Sequence, residues 1–242
     1  MGGTAPLVVE RIDEVMDSTR STEAGTQPVT RSGQVAETRR RLAEAAHRIF
    51  VARGFDAVTI DDIAAEAGTS RRTFFRHFAT KEAVVFPDDH ITQHAFRQAL
   101  IHETGGKPAT MTNLKALLTA MVPIYLANAE LMVERRAFID QSAALIAHEQ
   151  AIFLGWRHII AEAISGTLVG PAADEGALST ADAHIAAGAI VGAFVATFWA
   201  WYESGWEGDL GEMILSSLER LERGLGSGML INDRDTPARP QS

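Results

Sequence analysis

The stretch GTSRRTFFRHF (68–78) sets three arginines and a histidine among three phenylalanines, in a chain whose formal net charge is -9. A helix advances about 100° per residue, so Phe74 and Phe78 fall on one face at i, i+4. Arg72, Thr73, Arg76 and His77 spread across the other face, and Phe75 lies at the boundary. Ser70 stands where an N-cap belongs, and Gly68 stands where a preceding helix must stop. One side can anchor in a core while the other stays cationic and rich in hydrogen-bonding groups. A helix that enters the major groove of DNA needs that division. Arginine binds guanine O6 and N7 with two bonds, threonine reaches a base edge or a phosphate, and neighbouring cations grip phosphates.

Working upstream, Thr59-Ile60-Asp61-Asp62 reads as an N-cap with an acid at N3, a capping-box variant built on Asp. It opens the short helix IDDIAAEA, which closes at Gly68. In VAETRRRLAEAAHRIFVARGF (35–55), Val35, Leu42, Ala46, Ile49 and Phe50 keep helical spacing. Gly54 fits the C′ position, and Phe55 can fold back against the helix. Three short helices, the last two joined by a turn containing glycine, predict a helix-turn-helix head over 34–86. Downstream, Thr80 is expected to cap a fourth helix starting KEAVVF, which Pro87 interrupts and DDHITQHAFRQALIH (88–102) resumes. Further helices are expected over 110–127, 130–147, 149–165, 180–203 and 209–225, with no alternating strand-like runs and no repeat. The fold class is therefore all-α, with the head followed by a larger helical domain over 87–226. Residues 1–33 read as a flexible extension and 227–242 as a disordered tail.

Composition supports this division. The chain has 242 residues, 46% hydrophobic and 22% charged, which is ordinary for a globular protein. It has no cysteine, which excludes disulfides, thiolate metal sites and cysteine nucleophiles. The start, MGGTAPLVVERIDEV, lacks the basic and apolar regions of a secretory signal. Residues 31–85 carry ten basic groups against seven acids, net +3, between an N-terminal segment of net -3 and a remainder of net -9. A short positive block between acidic neighbours marks a polyanion-binding module attached to something with a different job.

The run FVARGFDAVTIDDIAAEAGTSRRTFFRHFATKEAVV resembles the N-terminal DNA-binding domain of the TetR family of bacterial one-component regulators. The resemblance covers about residues 37–86 and is most specific in T-I-x-x-I-A-x-x-A-G-x-S-x-x-T-F-[FY]-x-H-F-x-x-K-E. It implies a homodimer of all-helical subunits, each with a head that binds a double-stranded DNA operator and a body that binds a small molecule. Carried over by position, Thr59 caps the second helix beside a phosphate, and Ser70, Arg71, Arg72 and Thr73 form the base-facing start of the recognition helix. Phe75 and His77 fall where the family touches the backbone, and Lys81 where a lysine meets a phosphate. Phe75 replaces the commoner tyrosine, so that hydroxyl is lost. Arg72 replaces a residue that is often glycine and adds reach, which singles it out as a specificity determinant. Arg39, Arg40 and Arg41, with Arg31 before them and Arg76 on the recognition helix, are the further candidate phosphate contacts.

The second informative stretch is HIAAGAIVGAFVATFWAWY (184–202), uncharged from Ile185 to Tyr202. Its Ala-rich character, acidic flanks and lack of a second span argue for a buried helix rather than a membrane crossing. The resemblance implies that the last two helices pair with their symmetry mates. Gly188, Gly192 and Ala196 would allow close approach, and Met213, Ile214, Leu218 and Leu221 would supply the second interface helix. It also implies a pocket for a small hydrophobic effector, with Met121, Tyr125, Met132, Phe138, Phe153, Trp156, Phe194 and Phe198 as candidates. Arg135, Arg136 or His148 would receive a carboxylate. His90 and His94 lie at i, i+4 without a clear third ligand, so no metal is expected. No catalytic motif appears, and Asp61/Asp62 and Asp88/Asp89 read as acids at helix starts. The expected function is a ligand-responsive repressor. The rivals are a small-molecule enzyme or carrier with an accessory head, and a scaffold that uses the head for protein contacts.

Overall fold

The computed structural model describes residues 31–170 and 178–228. Most of the expected N-terminal extension and C-terminal tail, and part of the loop at 166–176, lie outside them. The regular elements of the described residues are all helices, with no strand. The first helix, α1 (Arg31–Arg53), starts inside the segment expected to be an extension. It is followed by α2 (Ile60–Glu66) and α3 (Arg71–His77).

Leu42, Ala45, Ala46 and Phe50 of α1 pack with Ile63 and Ala67 and with Phe74 and Phe78 of α3 in one apolar cluster. The turn between α2 and α3 depends on Gly68, whose φ of +63° lies in the left-handed region. Arg41 donates to the Ala67 carbonyl there at 2.5 Å, completing the end of α2.

Residues 81–86 depart from the expected helix. Only Glu82–Val84 form a single 3-10 turn, with the Thr80 hydroxyl accepting from the Ala83 amide at 3.2 Å. Pro87 has no amide to give the Ala83 carbonyl, and it disfavours helical backbone at Phe86, so the turn cannot propagate. Pro87 therefore precedes a new helix, α4 (Asp89–Thr104), and does not kink a continuous one.

The body continues with α5 (Met111–Ala120), α6 (Val122–Ala127), α7 (Ala129–Ile139), α8 (Ala143–Ser165), α9 (Thr180–Glu203) and α10 (Leu210–Gly228). The expected helix 110–127 is broken at Met121, because Pro123 cannot donate to the Thr119 carbonyl. An 80° bend separates residues 111–127 from α7. It falls at Asn128, whose side-chain amide donates to the Ile124 carbonyl at 2.7 Å. The expected helix 130–147 ends at Ile139, and α8 starts four residues later. Ser142, extended at φ -121°, faces Asp56 of the head across a 3.3 Å hydrogen bond.

Phe138, Ile139 and Leu145, at this junction, belong to the apolar cluster of the head. Phe138 lies 6.0 Å from the Phe50 ring, so its place is the junction core and not a ligand pocket.

The apolar helix α9 packs on α8 and α10, burying Ala183, Ala187, Ile190, Phe194, Phe198 and Trp201. By length and composition alone it is long and apolar enough to cross a membrane. Its other face leaves Ile185 60% exposed beside accessible Gly192 and Ala196. Ile214 and Leu218 of α10 are fully buried in the core of the same protomer. That placement overturns their assignment to a dimer surface, since no partner can reach them. Met213 and Leu221 are partly buried against the same core, and Leu215 of α10 is exposed.

Candidate nucleic-acid interface and ligand cavity

The reading helix is held from both ends. At its start, the Ser70 hydroxyl accepts from the Thr73 amide at 3.1 Å, and Phe74, fully buried, anchors the inner face. Beneath it, Thr59 and Asp62 close a reciprocal capping box: Asp62 donates its amide to the Thr59 hydroxyl at 3.2 Å, and Thr59 donates its amide back at 2.8 Å. The Thr59 bonds, with help from Arg53, hold the Asp62 carboxyl down at about 2.

On the outer face, Arg71 pairs with Asp61 at 2.9 Å and its guanidinium lies 5.5 Å from the Phe75 ring. Arg72 and Arg76 are exposed and make no ion pair with any described residue. Phe75 is 46% exposed. Thus Arg71, Arg72, Arg76 and Phe75 share one solvent-facing surface.

Three other candidates have inward-facing roles. His77 is not part of the cationic face: its Nε2 is buried without a hydrogen-bond partner among the described residues. Burial, then the charges of Arg76 and Arg39, hold its pKa below the ordinary histidine value. Lys81 donates to the Phe55 and Val58 carbonyls, each at 3.0 Å, with its ammonium 4.0 Å from the Phe55 ring. Arg39 donates to the carbonyl of His77, the last residue of α3, and to that of Pro87 at 2.8 and 2.5 Å. Its guanidinium also covers the Phe78 ring at 4.1 Å. Arg40 stays on the surface, paired with Glu37 and Glu44.

A cavity of about 230 Å³ opens within the body, enclosed by α4 to α9 and by the segment Phe86–Asp89 below the head. Met121, Tyr125, Met132, Phe153, Trp156, Phe194 and Phe198 all line it, so the structure brings these seven candidates together. The bend at Asn128 makes room, by turning α7 away from the line of α5 and α6. Gly155 contributes on α8: a Cβ there would stand 2.7 Å from the Gln93 side-chain oxygen. Gln93 uses that space to donate to Asp89 at 3.1 Å.

Asp89 is the helix-start acid expected from the sequence, at the first residue of α4, and it also lines the cavity wall. Burial pushes its carboxyl up to about 6, against the hydrogen bonds from Gln93 and Trp156. Of the three cations proposed for a carboxylate, only Arg135 lines the cavity. Arg136 is taken by Asp140 and Glu149, and His148 stacks on Phe86 at 5.4 Å. No cluster of three metal-ligating side chains occurs among the described residues.

The Asp89 shift carries a stability consequence with a definite sign. Between its unfolded value near 4 and about 6, the folded protein holds a proton that the unfolded chain has lost. The resulting stabilisation is complete below the unfolded value and disappears as pH rises through 6. Asp89→Asn is therefore expected to be more stable than the parent by roughly 1–3 kcal/mol at pH 7.5, with the advantage gone near pH 4. His77, His90 and His148, whose pKa values are lowered by burial, oppose this trend below pH 6.5. Their effects cancel in the difference between variant and parent, which paired urea denaturations at several pH values measure.

A helix-turn-helix head joined to a helical body with an apolar cavity defines a one-component regulator of transcription. Residues 42–86 match the family described as bacterial regulatory proteins, tetR family, and residues 108–226 match the MftR C-terminal domain. The chain belongs to the TetR family of transcriptional regulators, whose members are not enzymes, so the enzyme reading gives way.

It is 31% identical over 128 residues to a mycofactocin biosynthesis transcriptional regulator, MftR, of Mycobacterium tuberculosis (strain ATCC 25618 / H37Rv). That match takes in 53% of this chain and 64% of the relative, under two thirds of its length. Among solved structures, the fatty acid degradation regulator FadR of Bacillus halodurans shares the fold at a TM-score of 0.54, with 17% identity over 84% of this chain and 98% of that one. The FadR repressor of Thermus thermophilus, solved with lauroyl-CoA, gives 0.52, with 22% identity over 83% of this chain and all of that one.

Proposed function

We propose that the protein is a cytoplasmic repressor that binds a palindromic operator as a homodimer and leaves it when a small hydrophobic effector enters the cavity. Ser70, Arg71, Arg72 and Thr73 face the bases, while Arg76 and Thr59 hold phosphates. The accessible face of α9, with Gly188, Gly192 and Ala196, meets its symmetry mate together with Met213, Leu215 and Leu221 of α10. A two-fold axis there sets the separation of the two recognition helices.

The observation that carries this reading is the reach of Arg39. One guanidinium bonds the end of the recognition helix, at the His77 carbonyl, and the wall of the cavity, at the Pro87 carbonyl. An effector that displaces Phe86–Asp89 moves Pro87, and Arg39 passes that displacement to α3. In thermodynamic terms the effector binds better to a dimer whose heads are out of register, and the population shifts toward it.

The test is fluorescence anisotropy with operator DNA recovered by unbiased genomic selection, with and without effector. Effector is expected to release the parent protein. Arg39→Met keeps an unbranched apolar side chain but removes both carbonyl bonds and the guanidinium over Phe78, and should cost about 1–2 kcal/mol in stability. It should also reduce release by effector more than it reduces DNA affinity. Full release from the variant would remove Arg39 from the mechanism, and failure to select any specific DNA would overturn the repressor reading.

A further inference from the structure

The polar groups of the cavity wall are not equally provided for. Glu149 accepts two bonds from Arg136 at 2.8 and 3.0 Å. Asp89 accepts from Gln93 at 3.1 Å, and Asn128 donates to the Ile124 carbonyl. Arg135 differs: its guanidinium makes no hydrogen bond to any described residue and feels only the more distant attraction of Asp88. Burial in the cavity holds its pKa below the ordinary guanidinium value. The Tyr125 hydroxyl likewise has no hydrogen-bond partner among the described residues. Burial first, then the charge of Asp89, raises the phenol pKa and keeps it a donor.

Leaving a half-buried guanidinium without an acceptor costs free energy, which a ligand can recover. Both open groups are donors, and one carries a full positive charge. The acids of the wall, by contrast, already have donors or face solvent, so a lipophilic cation would find no open carboxylate inside and would be repelled by Arg135.

We propose that the effector is a small amphiphilic anion, with an aromatic or aliphatic body among Trp156, Phe194 and Phe198 and a carboxylate on Arg135. This rests on the reading of the cavity as the effector site. The volume of about 230 Å³ lies below the ~300–1,000 Å³ of drug-sized pockets, which fits a compact acid.

Phenylbutyrate, phenylbutanol and phenylbutylamine separate the possibilities, since they share a body and differ in charge. Binding is read from the fluorescence of Trp156 and Trp199, which line the cavity, and by calorimetry on the full chain. The carboxylate is expected to bind at least ~10-fold more tightly than the alcohol, and the amine most weakly. In Arg135→Gln the preference for carboxylate over alcohol should vanish while the alcohol binds as before, and Arg135→Lys should restore part of it. Equal binding of carboxylate and alcohol by the parent, preference for the amine, or an unchanged preference in Arg135→Gln would overturn the role of Arg135. Absence of binding by all three would overturn the cavity as effector site, and this proposal with it.

Discussion

Arg72→Ala is expected to weaken specific operator binding by about 1–3 kcal/mol, a loss of roughly 5- to 150-fold, and to relax sequence preference at one position of each half-site. The side chain is exposed on the second residue of α3 and no acid of the described residues pairs with it. Its neighbour Arg71 is tethered to Asp61, so Arg72 is the freer guanidinium at the start of the reading helix. Arg76→Ala supplies the contrast. Removing a phosphate-binding cation there should lower affinity by a similar factor for every sequence, leaving preference intact. Anisotropy titrations on the operator and on single-base variants distinguish the two patterns. A uniform loss in Arg72→Ala would assign that residue to the phosphates.

Phe138→Ala should be the most damaging single truncation at the junction, costing about 3–5 kcal/mol. The ring is only 9% exposed, and it packs against Phe50 and lies 5.9 Å from His47. Glu134, one turn earlier, reaches the same histidine at 2.9 Å, so the neighbourhood has little freedom to collapse into the space left behind. The midpoint of urea denaturation reads the loss. Hydrogen exchange should show faster exchange in α1 and α3 as well as α7, because a body residue completes the core of the head. Protection loss confined to α7 would mean that the head stands without it. Phe138→Leu, which keeps most of the volume, should retain the greater part of the stability.

Sequence made the head legible because its information is local. The caps at Thr59 and Ser70, the glycine at 68 and the i, i+4 pair Phe74/Phe78 are relations among residues a few positions apart. The apolar cavity residues could be named for a similar reason, since middle helices rich in Met and aromatic side chains must meet somewhere inside. What could not be read was the destination of long side chains. Arg39 sits among three consecutive arginines, and nothing nearby indicates that it crosses to carbonyls 38 and 48 residues away while Arg40 remains outside. Ile214 and Leu218 show a second limit: an amphipathic stripe reveals which face of α10 is apolar, but not whether the same chain or a partner covers it. Phe138 shows a third, because the head residue whose ring it meets, Phe50, lies 88 positions away, and the break that follows it bonds the head through Ser142 and Asp56.

The surface arginines also bear on how such a protein searches a genome. Of the ten basic groups in residues 31–85, Arg40, Arg48, Arg53 and Arg71 already face carboxylates, and Arg39, Arg41 and Lys81 donate to internal carbonyls. Setting Arg31 aside, that leaves Arg72 and Arg76 as the cations not already committed within the described residues, both on α3, in a chain of net charge -9. On the proposed contacts few phosphates would be neutralised on binding and few counterions released, so the loss of affinity with added salt is expected to be shallow. Random DNA would then offer such a surface little hold, and residence is expected to be governed by the fit of α3 to its bases.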